Sequence, residues 1–241
     1  AINEWVADQT NDRIQNLLPE GSVDSSTSLV LTNAVYLNAA WKNPFDPGSE
    51  GEFTRLDGST IQTKFMGRNL QAQAVVSSGF SAVALPYDDE RLSMLVLVPD
   101  AGTFEAFETS LDAARLNAIV ASLESQSVIM RMPRFRNETS QDFVEILKSL
   151  GMNAAFQPGV ADFSGMDGRK DLYVTQILHK AFIDVGEKGT EAAAATAVAM
   201  GRASIPTGIT VSVDRPFIYV LRDEPTGAIL FMGRVLDPSK S

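Results

Sequence analysis

The sequence has no cysteine and only one histidine, His179, and these shortages exclude several kinds of chemistry. Without cysteine the chain can form no disulfide and offers no thiolate nucleophile. The cellular compartment is not determined by this absence, because proteins of this size also work outside the cell without disulfides. A typical zinc site needs several histidine or cysteine ligands. We therefore expect neither a metal nor a cofactor.

Positive charge is also in short supply. Lys and Arg number 20 against 30 Asp and Glu, which gives a formal net charge of −10. Such a surface repels phosphate backbones and anionic lipid headgroups, so we expect no nucleic-acid or membrane partner. The sequence contains no apolar run long enough to span a bilayer and no cleavable signal pattern at Ala1. Protein partners and small ligands remain.

The chain itself predicts one globular fold of mixed α and β structure. Its 241 residues are 44% hydrophobic, enough for a substantial core, and no repeat or linker divides them. Apolar spacing predicts an amphipathic helix over residues 1–18, with its apolar side formed by Ile2, Trp5, Val6, Ile14, Leu17 and Leu18. Residues 28–39 form a nearly continuous apolar run, which predicts a central strand buried on both faces.

Further strands and helices follow at short intervals. Asp57-Gly58 marks a hairpin turn. Gly151 ends a helix predicted over residues 140–150, and two helical patterns occupy residues 103–123. The predicted strands are 51–56, 60–66, 71–76, 80–87, 92–99, 128–135, 172–185, 208–213, 216–222 and 228–235.

Residues 189–208, GTEAAAATAVAMGRASIPTG, are small and bland between two predicted strands. Alanine favours helix, because it loses no side-chain entropy. A period of two is available as well, since the even-numbered residues grow in size and apolarity from Thr190 to Met200. A strand that enters an already packed sheet needs small residues at its leading end. Helix and inserting strand both remain open on these residues alone.

The single histidine leaves room for a hydrolase, because a Ser-His-Asp triad needs only one. No G-x-S-x-G nucleophile turn is present, and GFSAV (79–83) lacks the closing glycine. A structural role for His179 is the better interpretation. If the chain were a hydrolase, His179→Ala would abolish its turnover.

Six motifs in order resemble the serpin family of protease inhibitors. HKAFIDVGEKGTEAAAATA (179–197) resembles the family's last central-sheet strand, hinge and reactive loop. The other motifs are NAVYLNAAWKNPF (33–45), LPYDDERLSMLVLVP (85–99), ADFSGM (161–166), DRPFIYVLRD (214–223) and ILFMGRVLDP (229–238). The resemblance covers essentially the whole chain, yet it matches only the latter two-thirds of the serpin fold.

The resemblance implies one serpin domain over residues 1–241, with a large central sheet, further sheets and surrounding helices. The reactive loop is expected at about residues 187–208. The family's N-terminal helices and accompanying strands are expected on a segment not shown, and the chain without them is not expected to inhibit. Serpins act as suicide substrates, without turnover: a protease cleaves the loop, and the cut loop inserts into the central sheet before the acyl-enzyme hydrolyses.

Family spacing places the scissile bond at Ala203-Ser204, which suits a serine protease of the elastase or subtilisin type. Cleavage at Arg202-Ala203 is the rival and would indicate a trypsin-like protease, whose pocket carboxylate binds a guanidinium. Extracellular action is the usual setting of such inhibitors. A non-inhibitory serpin, a carrier or chaperone whose loop is only a substrate, is the alternative.

The resemblance also assigns structural roles to individual residues. The inhibitory hinge comprises Glu187, Gly189, Thr190, Glu191, Ala192, Ala193, Ala194, Ala195 and Thr196, and it contains no proline and no bulky residue. By the same resemblance Glu187 pairs with Arg134, His179 hydrogen-bonds Asn33 where the sheet opens, and Trp41 lies under the entry point of the loop. Simple alternatives are solvated charges for Glu187 and Arg134 and an ordinary core aromatic for Trp41.

Overall fold

The computed structural model describes residues 1–190 and 208–240. The described helices are α1 (Ile2–Gln9), α2 (Phe104–Thr109), α3 (Ala113–Ala121), α4 (Val144–Ser149) and α5 (Ser164–Asp167), with a 3-10 turn at Ala154–Phe156. The described strands are β1 (Leu29–Tyr36), β2 (Ala39–Ala40), β3 (Asp46–Thr54), β4 (Thr60–Ser77), β5 (Phe80–Pro86), β6 (Leu92–Pro99), β7 (Glu124–Pro133), β8 (Phe135–Asp142), β9 (Val174–Gly186), β10 (Gly189–Thr190), β11 (Ile209–Ser212), β12 (Phe217–Asp223) and β13 (Ile229–Val235). The predicted mixed α and β class is confirmed.

The chain divides into two compact units. The first combines Ala1–Leu37 with Glu138–Ile183, and the second combines Asn38–Asn137 with Asp184–Ser241. In the first unit β1 runs parallel to β9, with Asn33 opposite His179. Val6, Ile14 and Leu17 pack with Phe182 beneath this pair.

An eight-stranded sheet dominates the second unit. Its order is β11-β7-β4-β5-β6-β12-β13, and β3 pairs with β4 beside this path. The helices α2 and α3 cover one face through a cluster that includes Phe104, Phe107 and Ile119. Every residue of β12 is buried, as expected for a strand covered on both faces.

The N-terminal helix is shorter than its apolar spacing predicts. It ends at Gln9, because Asn11 and Asp12 adopt positive φ angles of 49° and 60°. Asn and Asp enter this left-handed region more readily than other side chains, and it does not continue a right-handed helix. The predicted apolar side is also only partly right, since Val6 is buried while Trp5 is 63% exposed.

Three other strand or helix predictions need correction. The predicted strands 60–66 and 71–76 are one strand, β4, because β7 pairs with it continuously from Phe65 to Ala74. The helix predicted from residue 140 begins at Val144, since β8 continues to Asp142. β1 is half-buried rather than buried on both faces, and Leu31 in it is 46% exposed.

The strand predicted over residues 128–135 is divided between β7, which ends at Pro133, and β8, which begins at Phe135. The turn and the helix stop agree with the structure. The Asp57-Gly58 turn joins β3 to β4, and Gly58 has a φ of 81°. Gly151 follows α4 with a φ of 99°, as expected for a helix stop. Within the described residues, no helix has the length and apolar character needed to cross a membrane.

Candidate functional site at the root of the predicted loop

Trp41 organises the chain just before the predicted reactive loop. Its backbone N–H donates to the Lys188 carbonyl at 2.8 Å, and its indole Nε1 donates to the Gly186 carbonyl at 2.9 Å. The indole is 3% exposed, stacks on Tyr87 at 4.5 Å between ring centroids and meets the edge of Phe45. Trp41 thus connects the end of β9 and the following turn with a buried aromatic cluster of Trp41, Phe45 and Tyr87.

Gly189 and Thr190 form the short strand β10. Gly189 pairs with Ala40 on one side and with Gly186 on the other, and Thr190 pairs with Ala39 and Val185. Gly189 has a φ of 148°, and a Cβ added there would lie 2.1 Å from the Ala39 carbonyl oxygen. Only glycine satisfies both restrictions at this position.

Thr190 is fully buried and meets a second buried hydroxyl. Its Oγ1 lies 2.6 Å from the hydroxyl of Tyr87, and both residues are 0% exposed. Burial raises the pKa of Tyr87, and the hydrogen bond with Thr190 only partly opposes this. Tyr87 is therefore a neutral hydrogen-bonding group at neutral pH.

Glu187 and Arg134, which the resemblance pairs, are in contact. Arg134 Nε lies 2.7 Å and Nη2 2.5 Å from Glu187 Oε1. The carboxylate side chain is 15% exposed and the guanidinium side chain 48% exposed. Half-exposed pairs of this kind contribute about 0–1 kcal/mol, so the contact alone does not assign a role in loop insertion.

Asn33 and His179 form a pair within the first unit. They face each other in the register of β1 and β9, with Asn33 Oδ1 3.0 Å from His179 Nδ1. The ring of Phe143 lies 5.1 Å from the imidazole. The predicted contact is present, while its part in opening the sheet stays a prediction.

The predicted site residues therefore fall into separate groups. Trp41, Arg134, Glu187, Gly189 and Thr190 lie in the second unit, and Asn33 and His179 lie in the first. The other predicted hinge residues and both candidate scissile bonds lie outside the described residues; they are Glu191, Ala192, Ala193, Ala194, Ala195, Thr196, Arg202, Ala203 and Ser204. No group of three or more potential metal ligands occurs in the described part of the chain.

Sequence reasoning did not single out Tyr87. It stands inside the motif LPYDDE (85–90), so the resemblance marks its neighbourhood without giving it a role. Its partner is 103 positions away in the chain, and no local pattern connects the two. The sequence signal that could have indicated Tyr87 is its position between a buried strand and an acidic turn.

Comparison with known proteins identifies the class. The sequence model described as Serpin (serine protease inhibitor) matches residues 1–238. The chain belongs to the serpin family.

Individual relatives show how broad that family is. An uncharacterized serpin-like protein of Thermococcus kodakarensis is 36% identical over 98% of this chain and 56% of its own length. The leukocyte elastase inhibitor of Equus caballus is 36% identical over 98% of this chain and 65% of its own length. Across the first three curated relatives, the chain spans 56–62% of their length.

Solved structures share the fold. The thermophilic serpin tengpin in its native state superposes with a TM-score of 0.86 at 30% identity, covering 98% of this chain and 62% of tengpin. Thyroxine-binding globulin in complex with thyroxine superposes with a TM-score of 0.86 at 27% identity, covering 98% of this chain and 63% of that chain. The similar proteins therefore include an elastase inhibitor and a thyroxine-binding globulin.

Proposed function

We propose that the protein is an inhibitory serpin that traps a serine protease as a suicide substrate and does not turn over. The observation that carries this proposal is β10: Gly189 and Thr190, the first small residues of the hinge, are paired as a strand between β2 and the end of β9. A strand that has begun to form gives the following residues a template on which to continue.

Small hinge residues support the same proposal. The sequence from Glu191 to Thr196 contains no proline and no bulky side chain, so nothing in it obstructs insertion. About 14 inserted residues at about 1 kcal/mol net per ladder hydrogen bond, with buried apolar area in addition, supply an energy comparable to the stability of a domain. That energy would be released only after cleavage frees the loop.

The scissile bond is proposed at Ala203-Ser204, with an elastase-like or subtilisin-like target. Arg202-Ala203 and a trypsin-like target form the rival, because arginine fills a pocket with a carboxylate at its base. One similar protein, from Equus caballus, is a leukocyte elastase inhibitor, which favours the elastase-like target. We place the reaction outside the cell, as a proposal that secretion of the complete protein would test.

The test is to incubate the chain, joined to the N-terminal segment of a full-length serpin, with an elastase-like and a trypsin-like protease. A complex stable in boiling detergent, with cleavage after Ala203, is the expected result. A complex with cleavage after Arg202 would support the same trapping mechanism and indicate a trypsin-like target. Cleavage without a complex would show the loop to be a simple substrate and overturn the proposal.

Two matched hinge variants sharpen this test. Thr190 points into the core, and a period of two places Ala194 on the same side of the inserting strand. We expect Ala194→Arg to convert inhibition into cleavage, because a buried unpaired guanidinium opposes insertion. Ala193→Arg, on the opposite side, is the control and is expected to keep most of the trapping.

A carrier function is the second candidate, favoured by a cavity of about 380 Å³ in the second unit. Ala84, Val120 and Leu123 supply apolar lining, and Glu90, Arg222 and Glu224 supply charge. The Arg222 side chain is 11% exposed, and its Nη1 lies 3.6 Å from Glu224 Oε1. An apolar cavity with a few polar groups is typical of small-molecule sites.

This candidate predicts equilibrium binding of a small aromatic molecule without any trapped protease. Leu123→Trp would fill the cavity and abolish binding, whereas Leu230→Trp, at an exposed position of β13, would not. Binding that is equal in both variants would dismiss the cavity as the site. Trapping in the detergent experiment would favour the inhibitor.

A further inference from the structure

The contact between Tyr87 and Thr190 joins two fully buried hydroxyl groups across 103 positions of sequence. The oxygens are 2.6 Å apart, a normal separation for hydrogen-bonded hydroxyls. Buried hydroxyl groups need such a partner, because each loses its hydrogen bonds to water. Each of the two residues therefore depends on the other.

Tyr87 presents its hydroxyl from a fixed position. Its backbone N–H donates to the Leu92 carbonyl at 2.9 Å, and its ring stacks on Trp41 with an interplanar angle of 20°. Trp41 is in turn held by the carbonyls of Gly186 and Lys188. The position of the hydroxyl is thus fixed by contacts other than its contact with Thr190.

Thr190, by contrast, lies at the end of a very short element. β10 contains two residues, so few backbone hydrogen bonds hold it. The side-chain hydrogen bond therefore adds to the pairing of Thr190 with Ala39 and Val185, and it acts on a residue of the predicted hinge.

We propose that Tyr87 is a positioning residue whose hydroxyl keeps Thr190 seated in the sheet before cleavage. This inference rests on the proposed inhibitory function, in which the loop continues into the sheet from this point. A seated Thr190 shortens the distance that the cut loop must travel to begin insertion. Insertion then competes better with hydrolysis of the acyl-enzyme.

The chemistry of the pair supplies a specific test. Removing one hydroxyl leaves the other buried without a partner, which disfavours the seated state by about 5- to 150-fold. Replacing both by apolar groups of similar shape removes the unpaired group and is nearly neutral. Tyr87→Phe and Thr190→Val should each release Thr190, and the double variant should restore it.

Amide hydrogen exchange of Gly189 and Thr190 measures seating directly, in the full chain and without any protease. We expect each single variant to exchange about fivefold faster or more, and the double variant and Thr190→Ser to stay within about threefold of the parent. Amides of β12 serve as the control and should not change. Unchanged exchange in the single variants, or a double variant as fast as the single ones, would overturn the proposal.

The functional arm counts the molecules consumed for each protease trapped. This number should rise in both single variants and fall back to the parent value in the double variant. If the double variant restores slow amide exchange but not the parent trapping efficiency, the link between seating and insertion is wrong. A parent chain that traps no protease at all would remove the proposed function and that link together. The exchange result would still decide whether Tyr87 seats Thr190.

Discussion

β1 and β12 come from similar apolar sequences and end in different surroundings. LVLTNAVY in the first unit is half-buried, and FIYVLRD in the second unit is buried at every position. β12 lies between β6 and β13 and contributes to the cluster under α2 and α3, whereas β9 is the strand that pairs with β1 among the described residues. An apolar run thus predicts a strand suited to burial without specifying what covers it.

The largest expected difference between the two strands is in core packing. Leu221→Ala in β12 removes a side chain that is 0% exposed, so we expect the free energy of unfolding to fall by about 2–5 kcal/mol. Leu31→Ala in β1, where the leucine is 46% exposed, should cost below about 1 kcal/mol. Urea unfolding of the 241-residue chain measures both.

Similar losses in the two variants would contradict the comparison. A chain extended by a serpin N-terminal segment sharpens it. If that segment covers β1, Leu31→Ala should become more costly there, while the loss from Leu221→Ala stays the same. Equal values for Leu31→Ala in both chains would show that β1 stays uncovered.

The fold could be predicted from sequence wherever local pattern and burial agree. β9 and β12 were expected nearly as they are, since both combine β-forming residues with a largely apolar sequence. The helix predicted over residues 1–18 failed because apolar spacing carries no information about the left-handed conformations of Asn11 and Asp12. Apolar spacing also misjudged Trp5, which projects into solvent.

The candidate site divides in the same way. The hinge glycine was recognisable from the motif around it, and its φ of 148° gives the physical reason for glycine. The contacts Asn33–His179 and Glu187–Arg134 came from the family resemblance, because pairs 146 and 53 residues apart leave no local pattern. Tyr87 was not anticipated, since a hydroxyl pair depends on tertiary packing alone.

Asp223, at the end of β12, is expected to have an intermediate effect on the free energy of unfolding. Asp223 is 5% exposed and accepts hydrogen bonds from Arg91 Nε and Thr226 Oγ1. These bonds, the one from Arg91 above all, hold the pKa of Asp223 below its usual value of 3.8. The carboxylate therefore stabilises the fold above about pH 4, and this contribution disappears as the pH falls through the lowered pKa.

Asp223→Asn should reduce the free energy of unfolding at pH 7, because the amide cannot replace an ionised acceptor. The gap between the variant and the parent should narrow as the pH falls below 3.8, since the parent then loses the same contribution. Urea unfolding at pH 7, 5 and 3 measures the gap. Asp8→Asn, at an exposed position of α1, is the control for a general effect of charge. A gap that stays constant with pH would contradict the assignment.

The smallest expected effect on stability belongs to the polar pair on β1. Asn33 is exposed and makes one hydrogen bond to His179, so Asn33→Ala should change the free energy of unfolding by no more than about 0.5 kcal/mol. If the pair also regulates the opening of the sheet, the same variant should change the rate of protease trapping far more than the stability. Parallel measurement of urea unfolding and trapping rate, with Thr32→Ala on the same strand as the control, separates the two quantities. If Asn33→Ala alters stability and trapping rate in proportion, Asn33 has a structural role only. The polar group of β1 would then act on stability alone, as Asp223 of β12 does.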